Sequence, residues 1–179
     1  IQAAEVVSDL LTVARGVAAT KSAEEVNSTV ESFFGSPEFF RVKELYKDIV
    51  FEKELENDVR NYICSTIHVK KCLLNLVLNG AEAVEGKGTV TIHTGNAGGD
   101  ILPPDKNLSR NSGYVFIRVT DTGTGISDED LDHIFEPFYT KKMMGRSGTG
   151  LGLAVVWNSM QDHGGWVDVK TSDRGTSFT

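Results

Sequence analysis

No stretch of this chain approaches the ~20 consecutive apolar residues that a membrane-spanning helix needs, and its first residues do not read as a secretory leader. Cysteine is scarce. Cys64 and Cys72 have neither metal-ligand spacing nor the pattern of a redox pair, which predicts reduced thiols in or near a core. Basic residues are in deficit: 18 Lys and Arg against 25 Asp and Glu leave a net charge of -7. Bulk electrostatics therefore oppose nucleic acid and anionic membrane surfaces, although a phosphate site depends only on local charge. Internal repeats and low-complexity tracts are absent too. What remains is an ordinary composition, 40% apolar and 24% charged over 179 residues. That is enough for one domain with a core plus an appendage.

Ile1, Ala4, Val7, Leu10, Leu11, Ala14 and Val17 recur at helical spacing and predict an amphipathic helix ending near Gly16. Ser22 and Glu25 have the spacing of a capping box, which predicts a second helix with Val26, Val30 and Phe33 on its apolar side. Gly35-Ser36-Pro37 stops that helix, and Pro37 can start another. Alternation predicts a strand over 48–55, and Val69–Val84 reads as a central helix. A strand follows at 89–94, then a long connector over 94–113 rich in Gly, Asn, Pro and Asp, then a buried strand over 114–120. Leu151 to Asp162 reads as a helix closed by Gly164-Gly165. Strands at 166–170 and 176–178 are joined by a turn at Asp173-Arg174-Gly175. Many strand connections are too short for a βαβ crossover. The expected fold is therefore a two-layer α/β sandwich, a mixed sheet covered on one face by helices. The chain opens inside a helical pattern and stops inside a strand, so both ends read as cuts within a longer protein.

Four segments carry chemistry. Asn75 and Asn79 lie four apart and share one face of the central helix, with Leu74, Val77, Leu78 and Ala81 expected on the opposite, core side. Buried amides need partners. These two could bond to a loop, or offer hard oxygens suited to Mg2+. Asp121-Thr-Gly-Thr-Gly-Ile126 follows the buried strand. Alone it fits an ordinary Asx-Gly turn. A carboxylate only accepts hydrogen bonds, however, so it could take one from the exocyclic amine of adenine and would repel the carbonyl of guanine. Phe135-Glu-Pro-Phe-Tyr-Thr140 reads by itself as a hydrophobic anchor. The segment 141–147 after it carries Lys141, Lys142 and Arg146, which are phosphate contacts or solvated charges, and Met143 and Met144, which read as flexible packing. Gly148-Thr-Gly-Leu-Gly-Leu153 runs into a helix, where exposed N–H groups and the helix field favour an anion. No strand precedes it as a dinucleotide fingerprint requires, and it lacks the Gly-Lys-Ser/Thr of a P-loop.

In this order, the four segments resemble the N, G1, F and G2 boxes of the ATP-binding domain of two-component sensor histidine kinases, relatives of gyrase, Hsp90 and MutL. The resemblance runs from the first helix to the last strand. It implies that residues 1–20 are the second helix of a dimerisation and phosphoacceptor hairpin, and that residues 21–179 are the catalytic ATP-binding domain. It implies ATP and Mg2+ as cofactors, with Asn79 as the metal ligand and Asn75 as a nearby phosphate or water contact. Asp121, Gly123, Gly125 and Ile126 would receive the adenine, with Thr176 supporting the carboxylate. Gly148, Thr149, Gly150, Leu151 and Gly152 would form the phosphate cradle and lid hinge. Lys142 and Arg146, on the lid, would join Asn75 as catalytic residues. The γ-phosphoryl would pass to a histidine on the missing first helix of the hairpin, then to an aspartate on a response-regulator receiver domain. The parent would be a homodimer, cytoplasmic in this part and compatible with a membrane anchor elsewhere. No nucleic acid and no membrane contact by this chain are expected.

The four histidines, His68, His93, His133 and His163, all fall outside the 1–17 helix and read as structural or surface residues. The chain is thus not expected to phosphorylate itself. Gly80 stands where the family mostly has Ala, which loosens the helix slightly and leaves metal binding possible. Three alternatives stay open. A gyrase-like or Hsp90-like ATPase would carry a catalytic Glu at the position of Asn75. A serine kinase of the anti-sigma type would share the pocket but not the hairpin helix. A docking module would have degenerate boxes.

Overall fold

The computed structural model describes residues 20–98, 101, 113–140 and 149–179. The expected helix over 1–17, most of the long connector and the segment 141–148 lie outside the described residues. Two sheets are present. Strand β1 (Ser22–Glu24) pairs antiparallel with β3 (Tyr62–Cys64). The main sheet has five strands in the order β2 (Ile49–Leu55), β4 (Gly88–Asn96), β5 (Val115–Asp121), β7 (Gly175–Phe178), β6 (Val169–Ser172). β2 and β4 are parallel, and the other three neighbouring pairs are antiparallel. A parallel pair needs a long crossover, and here it is supplied by the 18-residue helix α3 (Thr66–Ala83). Helices α1 (Val26–Phe34), α2 (Pro37–Leu45) and α5 (Gly152–Asp162) join α3 on one face, while α4 (Asp128–Leu131) is a single turn after β5. The mixed, two-layer architecture is the one expected.

Local signals explain most boundaries. Ser36 caps α2 by accepting from Phe39 N–H at 3.2 Å, with Pro37 at the first helical position. Gly164, at φ 68, follows the end of α5. The capping box at Ser22 and Glu25 does not form. Ser22–Glu24 is claimed by the ladder to β3, so α1 begins only at Val26, behind a Glu25 that makes no side-chain cap. Strand β3 is three residues long, too short to announce itself by alternation. β6 starts later than expected, at Val169; Asp168 before it still exchanges two backbone bonds with Thr179, and Trp166 meets Tyr114 edge-on at 5.0 Å.

The core lies between α3 and the sheet. Leu73, Val77, Ala81, Val90, Ile92 and Val119 are each at most 2% exposed. The buried side of α3 is Leu73, Leu76, Val77, Gly80 and Ala81. Leu74 and Leu78, expected there, are only half-buried, because each sits one residue off that stripe and packs on its flank. Phe39 is the hub of a second cluster, with ring centroids 5.3 Å from Phe33, 4.5 Å from Phe34 and 5.5 Å from Phe51. It fastens α1 and α2 to the edge strand β2. Phe39→Ala is expected to cost about 3–5 kcal/mol, read as a lower urea midpoint at unchanged m-value. A loss below ~1 kcal/mol would show the cluster to be surface packing.

Candidate functional site

Helix α3 organises the site by touching two loops at three points. At Asn75, the side-chain Nδ2 donates to Gly152 O at the start of α5, 3.2 Å away. At Gly80, a Cβ would lie 3.1 Å from the Cβ of Asp121 and 3.4 Å from Val90 Cγ2, so the missing side chain lets the helix close onto the carboxylate. At its last residue, Ala83 O accepts from Thr124 N–H at 3.2 Å. Residues 75 to 83 span about 12 Å of helix axis. The glycine loop before α5 thus meets one end of that span and the Asp121–Ile126 loop meets the other. Asn79, half-buried, stands between them.

Asp121 closes β5 with its side chain turned to the helical layer, 5% exposed. Its Oδ1 accepts from Gly123 N–H at 2.8 Å and from Thr176 N–H at 3.3 Å. Burial pushes this carboxyl above the ordinary aspartate range, and the two N–H donors pull part of the way back. Thr176 supports the carboxylate through its backbone rather than its hydroxyl. The hydroxyl is 3.1 Å from that of Thr171, and Thr171 Oγ1 in turn accepts from Ile126 N–H at 2.8 Å. Thr171 was not singled out from the sequence. The turn at Asp173-Arg174-Gly175 could have found it, because a hairpin closed there puts Thr171 opposite Thr176.

Gly125 is at φ 76, and a Cβ there would fall 1.9 Å from Ser172 O. No side chain fits. At the other end of the site, Phe138 N–H donates to Gly150 O at 2.9 Å. Phe138 is at φ 68, a costly conformation for a bulky residue, and it lies against Gly150 at φ 67, where a Cβ would come 2.5 Å from Phe138 C. This pair clasps the two ends of the segment 141–148. The expected aromatic anchor is divided. Phe135 stacks on Trp157 at 5.0 Å, while Phe138 is 61% exposed. Leu151 is fully buried, and its N–H is directed to Thr149 Oγ1 at 3.3 Å. Only its backbone could face a ligand. The first turn of α5 leaves N–H groups without helical partners. Lys142, Arg146 and Gly148 lie outside the described residues.

Cys64 and Cys72 are both buried free thiols. Among the described residues no helix is long and apolar enough to cross a membrane, and no cluster of three or more His, Cys, Asp or Glu could hold a metal. A concavity of about 260 Å³ is lined by Thr120, Asp121, Lys170, Thr171, Ser172, Arg174, Gly175, Thr176 and Ser177. Side chains alternate along a strand, so Thr120 faces away from the layer that Asp121 faces.

A mixed sheet under one helical layer, with a buried carboxylate and two glycine loops along one helix, defines an α/β nucleotide-binding class. The sequence profile of the histidine kinase-, DNA gyrase B-, and HSP90-like ATPase family matches residues 64–179, and the chain belongs to that family. The sensor histidine kinase ZraS of Salmonella typhi is 41% identical over 108 residues, 60% of this chain and 20% of that protein. Sporulation kinase B of Bacillus subtilis (strain 168) is 32% identical over 136 residues, 75% of this chain and 28% of its own length. The chain therefore spans under a third of these relatives. The catalytic domain of the histidine kinase ThkA, in a nucleotide-free form, matches with a TM-score of 0.67 at 25% identity, over 88% of this chain and 91% of that one.

Gly125→Ala is expected to lower both urea stability and adenine-nucleotide affinity, since the loop must shift and strain of about 1–3 kcal/mol enters. Gly98→Ala, where a Cβ meets nothing within 4 Å, should change stability by less than ~0.5 kcal/mol. Equal responses from the two variants would show that the tight loop does not shape the site.

Proposed function

We propose that this chain is the ATP-binding catalytic domain of a sensor histidine kinase, and that it presents the γ-phosphoryl of Mg-ATP to a histidine on a helical hairpin. Residues 1–20 would supply the second helix of that hairpin and residues 21–179 the catalytic domain. A response-regulator receiver domain would take the phosphoryl group next, on an aspartate. The parent would act as a homodimer with this part in the cytoplasm.

One observation carries the reading: Asp121 is buried, has no cation paired with it among the described residues, and has Oδ1 held by two backbone N–H groups. A carboxylate so placed has lone pairs to spare for an amine and repels a carbonyl, which is the difference between adenine and guanine at that edge. Ile126, Gly123 and Gly125 would line the base. Gly148, Thr149, Gly150, Leu151 and Gly152 would offer backbone N–H groups to the phosphates. Asn75 has its nitrogen committed to Gly152 O, so its oxygen is the group left for a water or for a metal-bound phosphate. Asn79, one turn on, fits Mg2+ as an oxygen donor, since that ion takes few protein ligands and keeps its waters. When bound, Mg2+ would supply charge neutralisation across the phosphates. Lys142 and Arg146 would add charge-assisted bonds to them. Transfer then rests on positioning: the acceptor nitrogen bonds to the γ-phosphorus as the bond to the ADP oxygen breaks. An ATPase reading needs a base to activate water, and Asn75 is an amide that cannot take a proton.

Titration with ATP, ADP and GTP, with and without Mg2+, should show adenine preference. Asp121→Asn should weaken ADP by about 10–100-fold, as expected for losing a hydrogen bond to a charged group. Equal affinity for ATP and GTP would sink the adenine reading. The pH dependence has a definite sign. Binding needs the carboxylate, so affinity should fall as pH drops, beginning above the pH at which an ordinary aspartate protonates. Stability runs the other way. A carboxyl raised by folding contributes most below its unfolded pKa, and that contribution is lost as pH rises through the folded one. Asp121→Asn should therefore leave the urea midpoint at neutral pH equal or higher. Supplying a hairpin that bears the acceptor histidine should yield acid-labile phosphate. Steady hydrolysis without it would favour an ATPase.

A further inference from the structure

Helices α3 and α5 run antiparallel and are tied at both ends. The first tie is the Asn75–Gly152 hydrogen bond at the cleft. The second lies about 15 Å away along either helix, where Ser65 N–H donates to His163 Nε2 at 3.0 Å. Ser65 is the N-cap of α3 and is 3% exposed. Its hydroxyl accepts from His68 N–H, which is half of a capping box. The other half is a partner for the cap's own N–H and normally comes from a Glu or Gln at the third helical position. That position is His68 here, and the partner comes from α5 instead. His163 Nδ1 lies 2.6 Å from Ser159 O. A carbonyl only accepts, so Nδ1 carries the proton, and Nε2, facing an N–H, carries none. Both ring nitrogens are committed in one neutral tautomer.

We propose that His163 is a positioning residue for the nucleotide site: its neutral imidazole locks α5 to the N-cap of α3 and so holds the glycine loop in register with Asn75 and Asn79. The inference rests on reading that cleft as a nucleotide site. Without this tie, the apolar packing of Ala154, Val155 and Val156 still holds α5, but the helix loses a polar contact that fixes its register, and displacements near 1 Å at a phosphoryl-transfer site cost about 10²-fold in rate. The imidazole of His68 lies edge-on to that of His163, with centroids 6.1 Å apart, and Lys21 donates to the carbonyl of the preceding residue, Asp162.

Imidazole 15N shifts and Ser65 amide exchange of the nucleotide-free full chain, compared between the wild type and His163→Ala, read the tie directly. The expected result is the Nδ1–H tautomer in the wild type and loss of Ser65 protection in the variant. An Nε2–H tautomer, or Ser65 protection unchanged in a folded variant, overturns the proposal. ADP affinity reads the consequence. His163→Ala should weaken it by about 10-fold or more, the scale of one lost hydrogen bond to a buried N–H. His163→Gln keeps an acceptor for Ser65, so it should hold most of the affinity. Wild-type affinity in a folded Ala variant, or a Gln variant as weak as the Ala variant, overturns the coupling. A wild-type chain that binds no adenine nucleotide would refute the cleft reading instead, and the nucleotide-free measurements would still decide the tie.

Discussion

Polar groups taken out of water must find partners, and α3 is where this chain meets that requirement most severely. The helix is packed against the sheet and beside α1, α2 and α5, yet it carries two amides, a capping serine and a glycine facing a carboxylate. Three of its polar groups are answered from other elements: Asn75 by Gly152, the Ser65 N–H by His163, and the Ala83 carbonyl by Thr124. Gly80 removes a side chain so that Asp121 can approach. Segments distant in sequence are therefore held against a single rigid rod, and the cleft follows from how that rod is satisfied.

The carboxylate of Asp121 is the group with the least obvious compensation. It is buried, and among the described residues it has no cation beside it and is held by two backbone N–H groups. In a purely structural role an asparagine would serve with less penalty, because its amide oxygen could accept the same two bonds without a desolvated charge. A protein that keeps the charge retains a group that folding disfavours. Such residues concentrate where a ligand makes use of them. The neighbouring strain has the same character: Phe138 and Gly150 both sit at positive φ across one hydrogen bond, at the base of the segment 141–148.

The sequence disclosed the parts of this arrangement that follow local rules. Helical spacing found the central helix, Ser36-Pro37 found the start of α2, and the four segments were enough to place the chain beside a family whose profile matches residues 64–179. What stayed hidden depends on pairing between distant segments. The Ser22–Glu25 pattern looked like a helix cap, and only the presence of Tyr62–Cys64 alongside makes it a strand. Leu74 and Leu78 were assigned to the core by a period that cannot distinguish 100° of helix rotation in so apolar a segment. Thr171 carries no sequence signal and His163 reads only as structural or surface, because their chemistry lies in the partner each meets, and those partners are 45 and 98 residues away.

Those two missed residues have something in common. Neither occupies a motif, and each spends its polar atoms on a backbone group of another element: Thr171 on Ile126 N–H, His163 on Ser65 N–H and Ser159 O. A side chain that fixes a backbone group fixes the whole element carrying it, which is worth more to geometry than a contact between two mobile side chains. The residues proposed to touch nucleotide are thus oriented by a surrounding set whose sequence signal is faint. In a site where transfer depends on distance and direction rather than on acid or base strength, that set governs the rate as much as the motif residues do.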